Sequence, residues 1–203
     1  MRLLVYDRTC GGAHGLPGLS AAWRTGAALY RGAGRIDAAF GVSSWDEAAA
    51  RVEEASSRDE IEQIQYWGHG RFGRILIDAE ALDARALDPR APARFVAVLR
   101  ERFVRDERAL FWMRTCEAFG AQAGHSFARR LAEFLDVKVA GHTYVIGFWQ
   151  SGLHSLLPGA TPTWSPAEGV AQGTPERPER GAWSSPLAPN TIHCLEGKLP
   201  PFW

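Results

Sequence analysis

Two short segments of the chain carry residue types suited to nucleophilic chemistry. Tyr66-Trp67-Gly68-His69-Gly70 closes one apolar run, and Leu110-Phe111-Trp112-Met113-Arg114-Thr115-Cys116 closes another. A thiol attacks a carbonyl when an imidazole can take its proton and donors await the developing oxyanion. Cys116 as nucleophile, His69 as the proton-transfer group, and the backbone amides of Gly70 and Cys116 as oxyanion donors would supply all three. Gly70, lacking a Cβ, would let a carbonyl approach its backbone closely. An isolated cysteine reads first as a small buried hydrophobe. Cys116 rises above that reading because it ends one apolar run while a histidine ends another, and open sheets work at the carboxyl edge of their strands.

The elements needed to position this pair alternate along the chain. Leu3 to Tyr6 reads as a buried strand, followed by the loop Thr9-Cys10-Gly11-Gly12 and a helix from about Leu19 to Tyr30. Ile36 to Val42 is a second strand. Ser44-Trp45-Asp46-Glu47 then matches a capping box that opens a helix with Trp45, Ala48, Ala49 and Val52 on one face. Ile61 to Trp67 is the third strand, Gly73 to Asp78 a small β excursion, and Pro92 to Val104 a helix. Ala109 to Met113 is apolar enough for a central strand covered on both faces. A helix follows with Phe127, Leu131, Phe134 and Leu135 on one side. Val137 to Ala140 begins a fifth strand, continued or followed by Tyr144 to Trp149. Nine of the twelve prolines fall between Pro158 and Pro201, so residues 158–203 read as an irregular extension. Within it, Gly173 to Gly181 reads as an exposed loop and Asn190 to Leu195 as a late edge strand.

Composition narrows the function. With 46% hydrophobic and 23% charged residues, the 203-residue chain can bury one core, and one domain is expected. Acidic and basic residues balance at 23 each, which removes the electrostatic footprint of a nucleic-acid binder. The amino-terminal apolar stretch is too short for a signal peptide and no run approaches membrane-spanning length, so a cytoplasmic protein without membrane contact is expected. Cys10, Cys116 and Cys194 are far apart and odd in number, as reduced thiols would be.

These segments resemble the caspase-like fold of clan CD cysteine peptidases, in which one apolar strand ends in His-Gly and a second ends in the nucleophilic cysteine. His69-Gly70 and Cys116 lie 47 positions apart, close to the roughly 50 of caspases. The resemblance extends over residues 1 to about 150 and is nearest to divergent bacterial members. Arg114-Thr115-Cys116-Glu117 stands where caspases carry Gln-Ala-Cys and an early glycine, with the glycine delayed to Gly120. With the alternating strands and helices, the resemblance leads to the expectation of a single three-layer caspase-like α/β domain over residues 1–203, with a mostly parallel five- or six-stranded sheet, helices on both faces, and the proline-rich extension 158–203 lying against the sheet edge. It implies hydrolysis of a peptide or protein substrate with no cofactor. Arg114, two residues before the thiol, would line the pocket for an acidic side chain preceding the scissile bond. The rival for Arg114 is an internal ion pair with Glu117 or Asp78.

His142 follows the fifth strand and joins Arg114 as a candidate substrate-binding residue. Two alternatives stay open at this level. Glu117 beside the thiol would disfavour a thiolate, which suits a non-catalytic interaction module of the same fold. His69, His142 and Cys116, with His154 nearby, would form the ligand set of a metal-binding hydrolase. His14, His125 and His193 read as loop, helix and edge-strand residues, and Cys10 as a packing residue near the same edge. Trp67, Trp112 and Trp149 would offer apolar subsites for an extended peptide.

Overall fold

The computed structural model describes residues 1–12 and 18–200, so His14 lies outside the described residues. Strands are β1 (Arg2–Asp7), β2 (Ala38–Val42), β3 (Gln63–Trp67), β4 (His69–Arg71), β5 (Arg74–Ile77), β6 (Glu80–Asp83), β7 (Leu110–Arg114), β8 (Lys138–His142), β9 (Trp149–Gln150), β10 (Leu153–Leu156), β11 (Val170–Gly173), β12 (Pro178–Gly181) and β13 (Ile192–His193). Helices are α1 (Leu19–Gly32), α2 (Trp45–Ala55), α3 (Arg94–Arg102) and α4 (Ala121–Leu135). Six strands form one sheet in the order β10-β8-β7-β3-β1-β2, parallel except for β10. The architecture is therefore α/β with a mixed, mostly parallel sheet.

Strand alternation sorts the side chains into two layers. Leu3 and Val5 of β1, Ile64 and Tyr66 of β3, and Phe111 and Met113 of β7 join the large core that α2, α3 and α4 cover. Leu4, Trp67, Trp112 and Arg114 point to the opposite face, where α1 brings Ala27 and Tyr30 against Leu4 and Trp67. The helix periodicities that signalled these layers are present. Ser44 caps α2 by accepting from the Glu47 amide at 3.1 Å, and the Glu47 carboxylate reaches back to the Ser43 amide at 2.9 Å, one residue earlier than a standard capping box. In α4, Phe127, Leu131, Phe134 and Leu135 are all buried.

The carboxyl-terminal third departs from expectation. Residues 143–148 form no continuation of the fifth strand; the chain instead returns through β10, antiparallel to β8. The segment expected as an exposed loop is the hairpin β11–β12, whose irregular register and polar, exposed residues hide any strand pattern. The late strand shrinks to Ile192–His193, paired with β9. Ile192 and Leu199 of the extension pack against Trp112, Ala140 and Leu153 on the sheet face that α1 leaves open, while Trp164 joins the opposite core and stacks on His154 of the edge strand β10. Burying that apolar patch is the physical reason the tail folds inward.

Candidate active site

The neighbouring parallel strands β1, β3 and β7 end on one edge of the sheet. Cys10 lies just beyond β1, His69 just beyond β3 and Cys116 just beyond β7. Trp67 and Arg114 are register partners, so His69 and Cys116 stand at equivalent points past their strands. Both line a cavity of about 390 Å³, closed by Trp23 and Tyr30 of α1, by Phe148, and by Cys194 of the tail.

His69 is half-buried and its Nε2 lies 2.7 Å from Cys10 Sγ. The edge of the Trp23 ring system meets the imidazole at 5.7 Å between centroids and 78° between planes. Cys116 Sγ accepts from the Ile146 amide at 3.4 Å and stands 3.9 Å from the Ile146 carbonyl. Burial pushes the Cys116 thiol up; the Ile146 amide opposes that shift, Glu117 adds to it, and the amide of Cys116 itself opposes it. Burial also raises the Cys10 thiol, reinforced by Asp7 and Asp78. The site thus holds two protonated thiols at neutral pH, one on each side of an imidazole.

Gly70 packs closely against the turn that carries the thiol. A Cβ at this position would meet the Cys116 carbonyl at 2.4 Å and Thr115 Oγ1 at 2.7 Å. The side of this glycine that a Cβ would occupy is filled by the turn that carries the thiol, so its bareness lets β4 pack on that turn. Glu117 follows at φ 56°, in the left-handed region that favours glycine, and its carboxyl is aimed at Gly181 of β12. Burial raises the Glu117 carboxyl, with Arg71 and the Gly181 amide opposing.

Arg114 lines the cavity and is 4% exposed. It pairs with neither Glu117 nor Asp78. Nε and Nη2 both donate to Gln150 Oε1, at 2.9 and 2.7 Å. Nη2 also donates to the Cys194 carbonyl at 2.9 Å, and Nη1 donates to the Glu196 carbonyl at 2.8 Å and to the Tyr30 hydroxyl. All five donors of the fork are thereby engaged by neutral acceptors. The guanidinium lies 4.7 Å from the centre of the Trp112 ring system and 5.4 Å from that of Trp67. Burial lowers the Arg114 pKa, against the raising influence of Tyr30. Among the described residues no carboxylate lies within ion-pair distance of this cation.

His142 does not line the cavity. It is fully buried, with Nδ1–H donating to the Ser151 carbonyl at 3.1 Å, and burial pushes its pKa down to about 3 despite that bond. His154 turns to Glu168, 2.7 Å away, and stacks on Trp164 at 4.5 Å. His125 meets Trp164 edge-on, and His193 stacks on Phe148. The ligand set of the metal alternative is therefore dispersed, and among the described residues no group of three or more His, Cys, Asp or Glu could hold a metal ion. Of the three tryptophans, Trp67 lines the cavity, Trp112 is wholly buried beneath Arg114, and Trp149 faces outward on β9.

Sequence reading missed the roles of Tyr30, Gln150 and the tail segment His193–Glu196, whose partners lie tens of residues away. The Tyr30 hydroxyl is 2.9 Å from the Cys194 carbonyl and 2.6 Å from that of Glu196, and Arg35 holds the Leu195 carbonyl between them. Cys10 had a legible signal in its place after the first strand, but a single cysteine gives no pairing. Set against known proteins, the chain matches no family model, no curated protein and no solved structure.

Proposed function

We propose that the protein is a caspase-like cysteine peptidase of divergent, bacterial type that hydrolyses peptide bonds through Cys116 and His69. The observation that carries this reading is the shared cavity: an imidazole and a thiol, 47 positions apart, line one concave wall at the carboxyl edge of adjacent parallel strands. Cys116 Sγ attacks the scissile carbonyl carbon while its proton passes to His69. Collapse of the intermediate breaks the C–N bond, His69 returns the proton to the departing amine, and water then hydrolyses the thioester. In this reading the Cys116 amide donates to the developing oxyanion.

A preference for an acidic residue before the scissile bond rests on Arg114. Its charge is desolvated and lacks a carboxylate, so an anionic side chain gains more here than in water. Such a group reaches the guanidinium only where the Cys194 and Glu196 carbonyls give way. The test is a fluorogenic peptide library assayed with wild type, Cys116→Ala and His69→Ala. Turnover lost in both variants supports the reading, and turnover retained by Cys116→Ala overturns it.

The raised Cys116 thiol favours a second reading, a non-catalytic interaction module. Iodoacetamide labelling across pH separates the two. A Cys116 thiolate forming below about pH 8 supports the peptidase, and one forming only above the ordinary thiol range supports the module.

A further inference from the structure

The order β1, β3, β7 along the sheet places His69 between two thiols, Cys10 on one side and Cys116 on the other. An imidazole has two nitrogens, and the one that works is decided by the partner of the other. Nε2 is taken, at 2.7 Å, by Cys10 Sγ. We infer that Cys10 is a positioning residue whose sulfur accepts the Nε2–H of His69 and so presents the unprotonated Nδ1 of the same ring to the side of Cys116. This rests on the peptidase reading and adds to it a third member that orients the base, the logic common to nucleophile triads.

The loop carrying Cys10 is built to hold this sulfur in place. The Asp7 carboxylate accepts from the Thr9 amide at 2.7 Å and from its hydroxyl at 2.6 Å, closing the turn after β1. The second Asp7 oxygen accepts from the Asp78 amide at 3.2 Å, and the Ser20 hydroxyl donates to the Asp7 carbonyl at 2.9 Å. The Cys10 carbonyl accepts from the Ser20 amide at 3.3 Å in the first turn of α1. A Cβ on Gly18 would lie 2.2 Å from that carbonyl, so the loop is seated directly on a glycine. Trp23 packs edge-on against the same imidazole. The charged groups facing Cys10 are Asp7 and Asp78, and together with burial they keep its thiol protonated. A protonated, pinned thiol is a poor nucleophile and a serviceable hydrogen-bond partner.

The experiment compares wild type with Cys10→Ala and Cys10→Ser in two measurements. The first is the rate and pH dependence of iodoacetamide alkylation at Cys116, read by peptide mass spectrometry. In that step the Sγ–C bond forms, the C–I bond breaks, iodide leaves and the thiol proton passes to His69. Cys10→Ala is expected to slow Cys116 alkylation at neutral pH at least about tenfold, and Cys10→Ser, which keeps an acceptor, to restore most of it. The second is the ¹⁵N signature of the His69 ring, expected to show the Nε2–H tautomer in wild type and a tautomer mixture in Cys10→Ala. An unchanged Cys116 rate in Cys10→Ala, or a wild-type Nδ1–H tautomer, overturns the inference. Neither measurement requires turnover, so a failure of the peptidase reading, seen as turnover by Cys116→Ala, stays distinguishable. If Cys10→Ala fails to fold, the wild-type tautomer and the Cys10→Ser rate decide.

Discussion

The Arg114 guanidinium donates to the Cys194 carbonyl at 2.9 Å, joining the end of a central strand to a tail segment eighty positions later. The same fork holds Gln150 and the Glu196 carbonyl, so one side chain fixes three separate segments around the cavity. Geometry, more than charge, makes this possible. A lysine keeps the charge but is a compact point donor without the planar fork. Arg114→Lys is expected to leave at least one buried acceptor unpaired and to lower stability by about 2–4 kcal/mol. Urea unfolding measures this, and an unchanged midpoint would show that charge alone suffices.

Tyr30 holds the tail from the helix side. Its hydroxyl is shared between the Cys194 and Glu196 carbonyls, and it accepts from Arg114. Tyr30→Phe removes these bonds while keeping the ring that packs on Trp67 at 4.9 Å. A net loss of about 1 kcal/mol corresponds to roughly fivefold more frequent opening of the segment. Hydrogen exchange of a peptide spanning residues 192–198 is expected to accelerate by that factor, with β3 and β7 unaffected. Equal acceleration throughout would instead mean a global loss of stability.

The uneven legibility of this chain has a physical basis. The apolar runs ending at His69 and Cys116 were readable because central parallel strands are covered on both faces. The periodicity of α4 was readable because one of its faces is wholly buried. The hairpin β11–β12 was not, since most of its residues are exposed and no face is selected for hydrophobicity. Clamping of the tail by Tyr30 and Arg114 leaves no local pattern, because its acceptors are backbone carbonyls that any sequence provides. Cys10 was visible as a residue but not as a partner, since the link to His69 is made by the adjacency of β1 and β3.

His142 makes stability depend on pH. Its folded pKa lies near 3, against about 6.5 for an unfolded histidine. Below pH 6.5 the unfolded chain binds this proton and the folded chain does not. The contribution is therefore fully present above about pH 6.5 and is lost as pH falls toward 3. At pH 5 the loss is on the order of 2 kcal/mol. His142→Asn keeps a donor toward the Ser151 carbonyl but cannot titrate, so it should flatten the decline between pH 7 and pH 5 in urea unfolding. A slope equal to that of wild type would assign the acid sensitivity elsewhere.

Gly124, in the first turns of α4, sets two magnitudes against each other. Helix propensity alone favours Gly124→Ala by about 1 kcal/mol. The added Cβ, however, would sit 2.3 Å from the Phe119 carbonyl carbon and 2.6 Å from its oxygen, both backbone atoms. Phe119 cannot yield freely, because its amide donates to the His142 carbonyl at 3.0 Å and its carbonyl accepts from Trp164 Nε1 at 3.1 Å. Overpacking with backbone displacement costs about 1–3 kcal/mol, and breaking either anchor adds to that. The clash wins, so Gly124→Ala is expected to lower the thermal midpoint, not raise it. Since Phe119 belongs to the same turn as Cys116, the displacement should also change the alkylation rate at Cys116. A raised midpoint with an unchanged Cys116 rate would mean that α4 slides away from the turn without moving the thiol.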